Sequence, residues 1–331
     1  MKIMITLIVL ITTFPIVAQY SNLGTSGAQF LQIPVGARQT AMAGASIAYT
    51  DDASSAFWNP AGISQVGNVD MHFTNLDWFG LFDLNAAAAA YNLGGDNGVL
   101  GVHFISFSTG KIEITTEKQP NGTGRFYDAA DLALGVSYAR RLTEQFRVGV
   151  SIKYVNQRIW NETASGISID VGTQYKLDFN NLTIAMSMSN FGPDMRFDGP
   201  DLNYSILKDE TVPNSRLAPV KLNTEDFSLP LHFQVGVAMD IFHYNFIKMR
   251  GAIDVTHPND NLERVNFGTE VSVFDRVFLR GGYRYNYDDE KYTFGAGANI
   301  PVGSTLFSFD YSYSVYDILP NVQRISLGVR F

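Results

Sequence analysis

The sequence predicts an all-β protein, an antiparallel transmembrane β-barrel of about 14 strands with an N-terminal hatch in the lumen, and three observations carry that prediction. The chain ends on Gln323-Arg-Ile-Ser-Leu-Gly-Val-Arg-Phe331, with Ile325, Leu327, Val329 and Phe331 on one face and Arg324, Ser326, Gly328 and Arg330 on the other. A period of two closing on an aromatic residue is how outer-membrane barrels usually end. Segments with the same alternation recur back along the chain, each about ten residues long, as a tilted membrane strand requires. At the other end, Met1-Lys2, the apolar run Ile3 to Val17 and the small Ala18 before Gln19 have the form of a cleaved secretory signal, residues 1–18.

Composition narrows the class further. Beyond residue 18 no apolar run is long enough for a transmembrane helix. The 24 Phe, 16 Tyr and 29 Gly suit strands that face outer-membrane lipid or lipopolysaccharide on one side and a polar or glycine-packed lumen on the other. With no Cys, a lipid-modified N-terminal Cys, a thiolate metal site and a disulfide scaffold are excluded. A net charge of -8 without a basic stripe argues against nucleic acid.

Taken in order, the alternation places strands near 69–76, 82–91, 98–108, 130–140, 145–160, 165–177, 181–190, 230–240, 244–255, 263–273, 276–287, 290–300, 303–315 and 321–331. An even count puts both ends of the barrel, residues 69–331, on one side, and twelve or sixteen are the neighbouring counts. The segment Lys111 to Lys118 is either a hairpin arm or an extra strand. If the first strand runs outward, the inner turns fall near 92–97, 141–144, 178–180, 241–243, 274–275 and 301–302, all short. The two long connections after the first strand, 109–129 and 191–229, then share the outer side, as barrels of this kind arrange them. The proline-rich 191–229 loop is the candidate external docking surface. Trp58, Trp78, Trp160, Tyr285, Tyr287 and Tyr316 fall near strand ends, where an interfacial girdle would use them.

Residues 19–68 do not alternate. They carry Gly36-Ala-Arg-Gln-Thr-Ala-Met-Ala-Gly-Ala45 and Asp51-Asp-Ala-Ser-Ser-Ala-Phe-Trp-Asn-Pro-Ala-Gly62. Asp51 is placed to cap a short helix through Ser54, and Pro60 with Gly62 to stop it. About fifty apolar and small residues ahead of a closed barrel are most simply buried in its lumen, and small inward residues would leave room for them. Asp170, Asp178, Asp240, Asp254 and Asp310, facing inward, would pair with Arg280, Arg284 or Arg324 and hold such a plug.

This block of about thirty residues resembles the N-terminal hatch of the long-chain fatty-acid transporter superfamily, and more narrowly its PorV/PorQ branch in Bacteroidota and relatives. The resemblance implies a fourteen-stranded barrel whose N-terminus folds into the lumen, with Asn59-Pro60-Ala61 matching the family's hatch motif beside Gly44, Asp51, Asp52 and Gly62. It also implies two competing functions. PorV-like members serve type IX secretion, capping a large translocon barrel or receiving secreted cargo by its C-terminal signal domain. Transporters of the superfamily instead pass a hydrophobic ligand, for which Phe57 and Trp58 would line the path.

No catalytic or cofactor motif accompanies these features. His72, His103, His232, His243 and His257 are dispersed, without metal-ligand spacing; no nucleophile elbow or phosphate loop occurs. The expectation is a non-enzymatic protein without cofactor or metal.

Overall fold

The computed structural model describes residues 23–207 and 217–331. The expected signal, residues 1–18, lies outside the described residues. Within them the chain forms eighteen strands. Fourteen close into one antiparallel barrel: β1 (Val69–Trp78), β2 (Phe82–Asn92), β3 (Val99–Ser108), β6 (Ala129–Arg141), β7 (Phe146–Ile159), β8 (Glu162–Lys176), β9 (Thr183–Phe191), β12 (His232–Tyr244), β13 (Ile247–Pro258), β14 (Arg264–Val273), β15 (Val277–Tyr285), β16 (Glu290–Val302), β17 (Thr305–Tyr316) and β18 (Val322–Arg330). The other four make two hairpins outside the wall, β4 (Ile112–Glu113) with β5 (Phe126–Tyr127) and β10 (Asn203–Leu207) with β11 (Leu217–Lys221). The ambiguous segment after Lys111 is thus a hairpin arm.

Closure follows from the terminal alternation. β18 pairs antiparallel with β1, setting Met71 against Val329 and Phe73 against Leu327 on the outward face, while Arg324 and Ser326 are buried inward. No edge is left unpaired, which is what allows strands to cross a bilayer that offers backbone groups no hydrogen-bond partner. The exposed apolar side chains, among them Val102, Leu134, Val136, Ile152 and Phe294, alternate with buried inward ones along the strands. No helix among the described residues is long and apolar enough to cross a membrane.

One end of the barrel carries tight connections and the other carries both long ones, now bounded at 109–128 and 192–231. One turn differs from expectation. Residues 241–243 belong to β12, where an irregularity between Asp240 and Phe242 lengthens the strand. The chain turns instead at Asn245, whose φ of 56° is the left-handed geometry that Asn tolerates in tight turns.

Residues 29–65 form short 3-10 turns at Gln29–Gln32, Ala53–Phe57 and Pro60–Gln65 and a helix at Ala37–Ala41. They pack on the inward face of the wall. The wall accommodates their backbone by omitting side chains: a Cβ at Gly268 would lie 2.6 Å from the Met42 carbonyl oxygen, and one at Gly149 only 2.5 Å from that of Pro60. Gly149→Val is therefore expected to destabilise by about 1–3 kcal/mol, the usual cost of overpacking. Gly281→Val, with no atom within 4 Å of the added carbon, should stay within about 0.5 kcal/mol of the parent. Thermal unfolding of the purified barrel checks the pair, and equal shifts would contradict this packing.

Candidate functional site: a vestibule and its floor

The inward-packed segment divides the sequence-predicted residues among three environments. Asn59, Pro60, Ala61 and Gly62 are buried between the segment and β6–β8. Asn59 acts there as a bracket. Its Nδ2 donates to the carbonyls of Ile47 at 3.0 Å and Thr173 of β8 at 3.1 Å, while its Oδ1 accepts the Ala61 N–H and caps the turn that Pro60 begins. Gly62 is required by space, since a Cβ would sit 2.5 Å from the Thr50 carbonyl oxygen.

Asp51 and Asp52 lie at the short-turn end, lining a polar cavity of about 400 Å³. The expected cap is displaced by one residue: Asp52, not Asp51, accepts the Ser54 N–H at 2.9 Å. Asp51 instead meets Arg38 at 2.8 Å. The same guanidinium lies 3.6 Å from Glu270 of β14 and 5.1 Å above the Tyr49 ring, so its charge is shared between segment and wall.

Gly44, Phe57 and Trp58 face the opposite end. Gly44, at φ 80°, brings its Cα edge against the Trp58 ring, where a Cβ would lie 3.3 Å away. Trp58 donates from Nε1 to the Val35 carbonyl at 2.8 Å. It therefore belongs to the segment and not to a membrane girdle. Trp78, Tyr287 and Tyr316 also turn inward, whereas Tyr285 is exposed on the outward face.

Above these residues opens the main cavity, a vestibule of about 890 Å³ toward the long-loop end. One wall is apolar, with Phe57, Ile105, Phe107, Ile159, Phe197 and Phe227; Phe197 and Phe227, from the long connection, meet at 5.5 Å. The facing wall is polar, with His232, Gln234, Arg264, Asn266, Arg284 and Glu290 from β12 to β16. Sequence reasoning missed Phe107, Phe197 and Phe227 as cavity residues. Phe107 stands in a regular alternating strand, and the loop phenylalanines approach each other only because Met195 and Phe227 exchange backbone hydrogen bonds of 2.8 and 2.9 Å.

Charged and polar contacts hold the floor to the wall. Asp254 of β13 accepts the N–H groups of Ser46 at 2.8 Å and Ile47 at 3.2 Å and pairs with no cation among the described residues. Arg324 donates to the Pro34 carbonyl and Thr293 donates to that of Ala41. Of the other expected acidic groups, Asp310 meets Arg280, Asp240 meets Arg250 and Asp170 meets Lys153, while Arg284 is taken by Glu290. Asp178 stands in a short turn and makes no wall-to-segment pair among the described residues. At the rim, Asp260 receives Ser26, Gln29 and Gln32 and ties the start of the described chain to the β13–β14 connection. No group of three His, Cys, Asp or Glu among the described residues could hold a metal ion.

The closed strand ladder, the apolar outward faces and the inward-packed segment define a class: a multi-pass barrel of the outer membrane. Residues 17–206 match the family described as "Type IX secretion system protein PorV", which is more than half of the chain, and the protein belongs to that family. No curated protein is similar enough to match it. Among solved structures, a monoaromatic hydrocarbon channel, the TodX deltaS2S3 mutant, is similar at a TM-score of 0.57 and 14% identity, over 89% of this chain and 97% of that one. The CymD monoaromatic hydrocarbon channel gives 0.55 and 12%, over 90% and 96%. A Pseudomonas aeruginosa FadL homologue gives 0.55 and 11%, over 90% and 98%. At these identities the likeness is one of fold alone.

Two measurements test how the floor is held. Asp254→Ala leaves two buried N–H groups without an acceptor, a cost of about 1–3 kcal/mol. Hydrogen exchange at Ser46 and Ile47 should accelerate accordingly, with the barrel strands unchanged; exchange at the parent rate would show that the carboxylate does not hold this turn. The second concerns pH. Burial pushes the Asp260 carboxyl up, and the hydrogen bonds from Ser26, Gln29 and Gln32 more than offset it, leaving it below its ordinary value. A carboxyl lowered by folding stabilises above its unfolded pKa of about 3.9 and loses that contribution as pH falls through the folded value. A spin label at Leu23→Cys should therefore keep constant mobility from pH 7 to about 4 and loosen only below that. Loosening near pH 6 would point to another group.

Proposed function

We propose that the protein binds a hydrophobic or amphipathic small molecule in the outer vestibule and admits it past the N-terminal segment, which acts as a hatch. The observation that carries this reading is the aromatic-walled cavity of about 890 Å³, open toward the long connections and floored by Gly44, Phe57 and Trp58. Its size lies within the range of small-molecule sites, and one apolar wall with a few placed polar groups is their usual chemistry. Between the two cavities the segment is closed by buried residues, among them Ala45, Ile47, Ser55 and Ala61, so passage requires it to move. The mechanism is then adsorption on the apolar wall, followed by displacement of a floor held mainly by hydrogen bonds and ion pairs. Solved barrels of the same fold described as monoaromatic hydrocarbon channels support the reading.

A second reading is favoured by the family itself: a role in type IX secretion, with the connections at 109–128 and 192–231 docking a translocon barrel or secreted cargo. The two readings separate in one preparation. Tagged protein extracted in mild detergent should carry a saturable amount of tritiated dodecane after transfer to nanodiscs, and Phe107→Ala should weaken binding about tenfold, the scale of one buried aromatic side chain. Absence of saturable uptake, with stoichiometric recovery of a very large barrel or of secreted proteins sharing a C-terminal domain, would replace the first reading with the second.

A further inference from the structure

The polar wall of the vestibule contains hydrogen-bonding groups that the protein itself leaves unsatisfied, and they are gathered at one place. Arg264 and Arg284 lie over the same Tyr287 ring, at 4.4 and 5.0 Å from its centroid. Asn266 stands directly across the β14–β15 ladder from Arg284, and Arg284 is paired with Glu290. These residues therefore form one patch across β14, β15 and the start of β16. Within it the Asn266 side-chain carbonyl, the Glu290 Oε1 and the Arg264 Nε are buried atoms without a hydrogen-bond partner. Asn266 and Glu290 are 3% and 5% exposed and both line the cavity.

The partners already present set what these unsatisfied groups call for. Glu290 Oε2 receives Arg284 and, at 2.8 Å, the Tyr316 hydroxyl, so the charge of Arg284 is answered. Arg264 pairs with no carboxylate among the described residues and is met only by the Tyr287 ring face. The patch thus offers one unanswered cation and two acceptors that each call for an N–H or O–H donor. A hydrocarbon would leave all three unpaired, and a plain carboxylate would answer the cation alone. A site built to hydrogen-bond a hydroxyl or amide discriminates strongly against an analogue that lacks it.

We propose that the vestibule ligand is an amphiphile whose head group combines an anionic oxygen, received by Arg264, with neighbouring hydroxyl or amide donors, received by Asn266 and Glu290, while its apolar part lies against Phe107, Phe197 and Phe227. This inference rests on the small-molecule reading of the vestibule and specifies its substrate class.

The test compares three probes of one chain length, tritiated N-dodecanoylserine, dodecanoic acid and dodecane, in equilibrium binding to the full-length protein in nanodiscs, with empty nanodiscs subtracted. N-dodecanoylserine should bind at least about tenfold tighter than dodecanoic acid. Asn266→Leu should bring that ratio to within about threefold of unity, and Arg264→Gln should weaken both acids relative to dodecane. A melting temperature equal to the parent's qualifies each variant; if Asn266→Leu fails to fold, Arg264→Gln and the wild-type ratio carry the test. Equal affinity of the two acids for the wild-type protein, or a preference that survives Asn266→Leu, overturns the inference and leaves the small-molecule reading standing. No saturable binding of any of the three probes overturns both.

Discussion

The structure depends first on the need to pair every backbone N–H and C=O where the bilayer supplies no partner. A sheet satisfies that condition only when its two edges meet, and here they meet through β1 and β18. Closure has a price inside: fourteen strands enclose a lumen too wide to be filled by their own inward side chains. The N-terminal segment occupies that space, and the wall answers with glycines at Gly149, Gly172, Gly268 and Gly282, where any Cβ would run into the segment.

How the segment is held differs from how a soluble core is held. Its contacts include apolar clusters around Met42 and Ile47 and around Ile63 and Val66, yet its orientation comes from polar anchors reaching across hundreds of residues of sequence. Asp254 grips the turn at Ser46, Ser326 receives the N–H of Ala37, and Arg38 is shared among Asp51, Asp52 and Glu270. Buried ion pairs add little net stability against an apolar alternative but cost several kcal/mol, roughly 3–5, when one partner is lost. Such anchors therefore specify one position sharply.

The two ends of the lumen differ in chemistry because the segment runs from one to the other. Its early residues, 26–35, stay near the long-loop rim under Asp260 and line the vestibule together with aromatic residues, whereas Arg38, Asp51 and Asp52 face a charged cavity at the short-turn end. Function in such barrels resides in the loops and lumen lining more than in the fold, so both proposed readings rest on the vestibule and the long connections.

Much of the barrel was legible in the sequence because a strand with lipid on one side and lumen on the other must alternate with period two, and that period is local. The fourteen strands, their closure on an aromatic end and the short-turn and long-loop ends all follow from residues a few positions apart. Where local pattern weakened, so did the reading: Ile241 to His243 look like a turn only if the irregularity in β12 is not known. The interior was not legible. Whether Asp51 or Asp52 caps the turn depends on where Arg38 is carried, and Arg38 is placed by Glu270, more than two hundred residues away. Likewise Phe107, Phe197 and Phe227 share one wall, and Arg264, Asn266 and Glu290 the other, only after closure brings distant strands and a folded connection together. The sequence by itself determined the barrel, because side-chain alternation against lipid is a nearest-neighbour property. The tertiary structure alone decided what lines the lumen, because those contacts join residues that only a closed sheet makes adjacent.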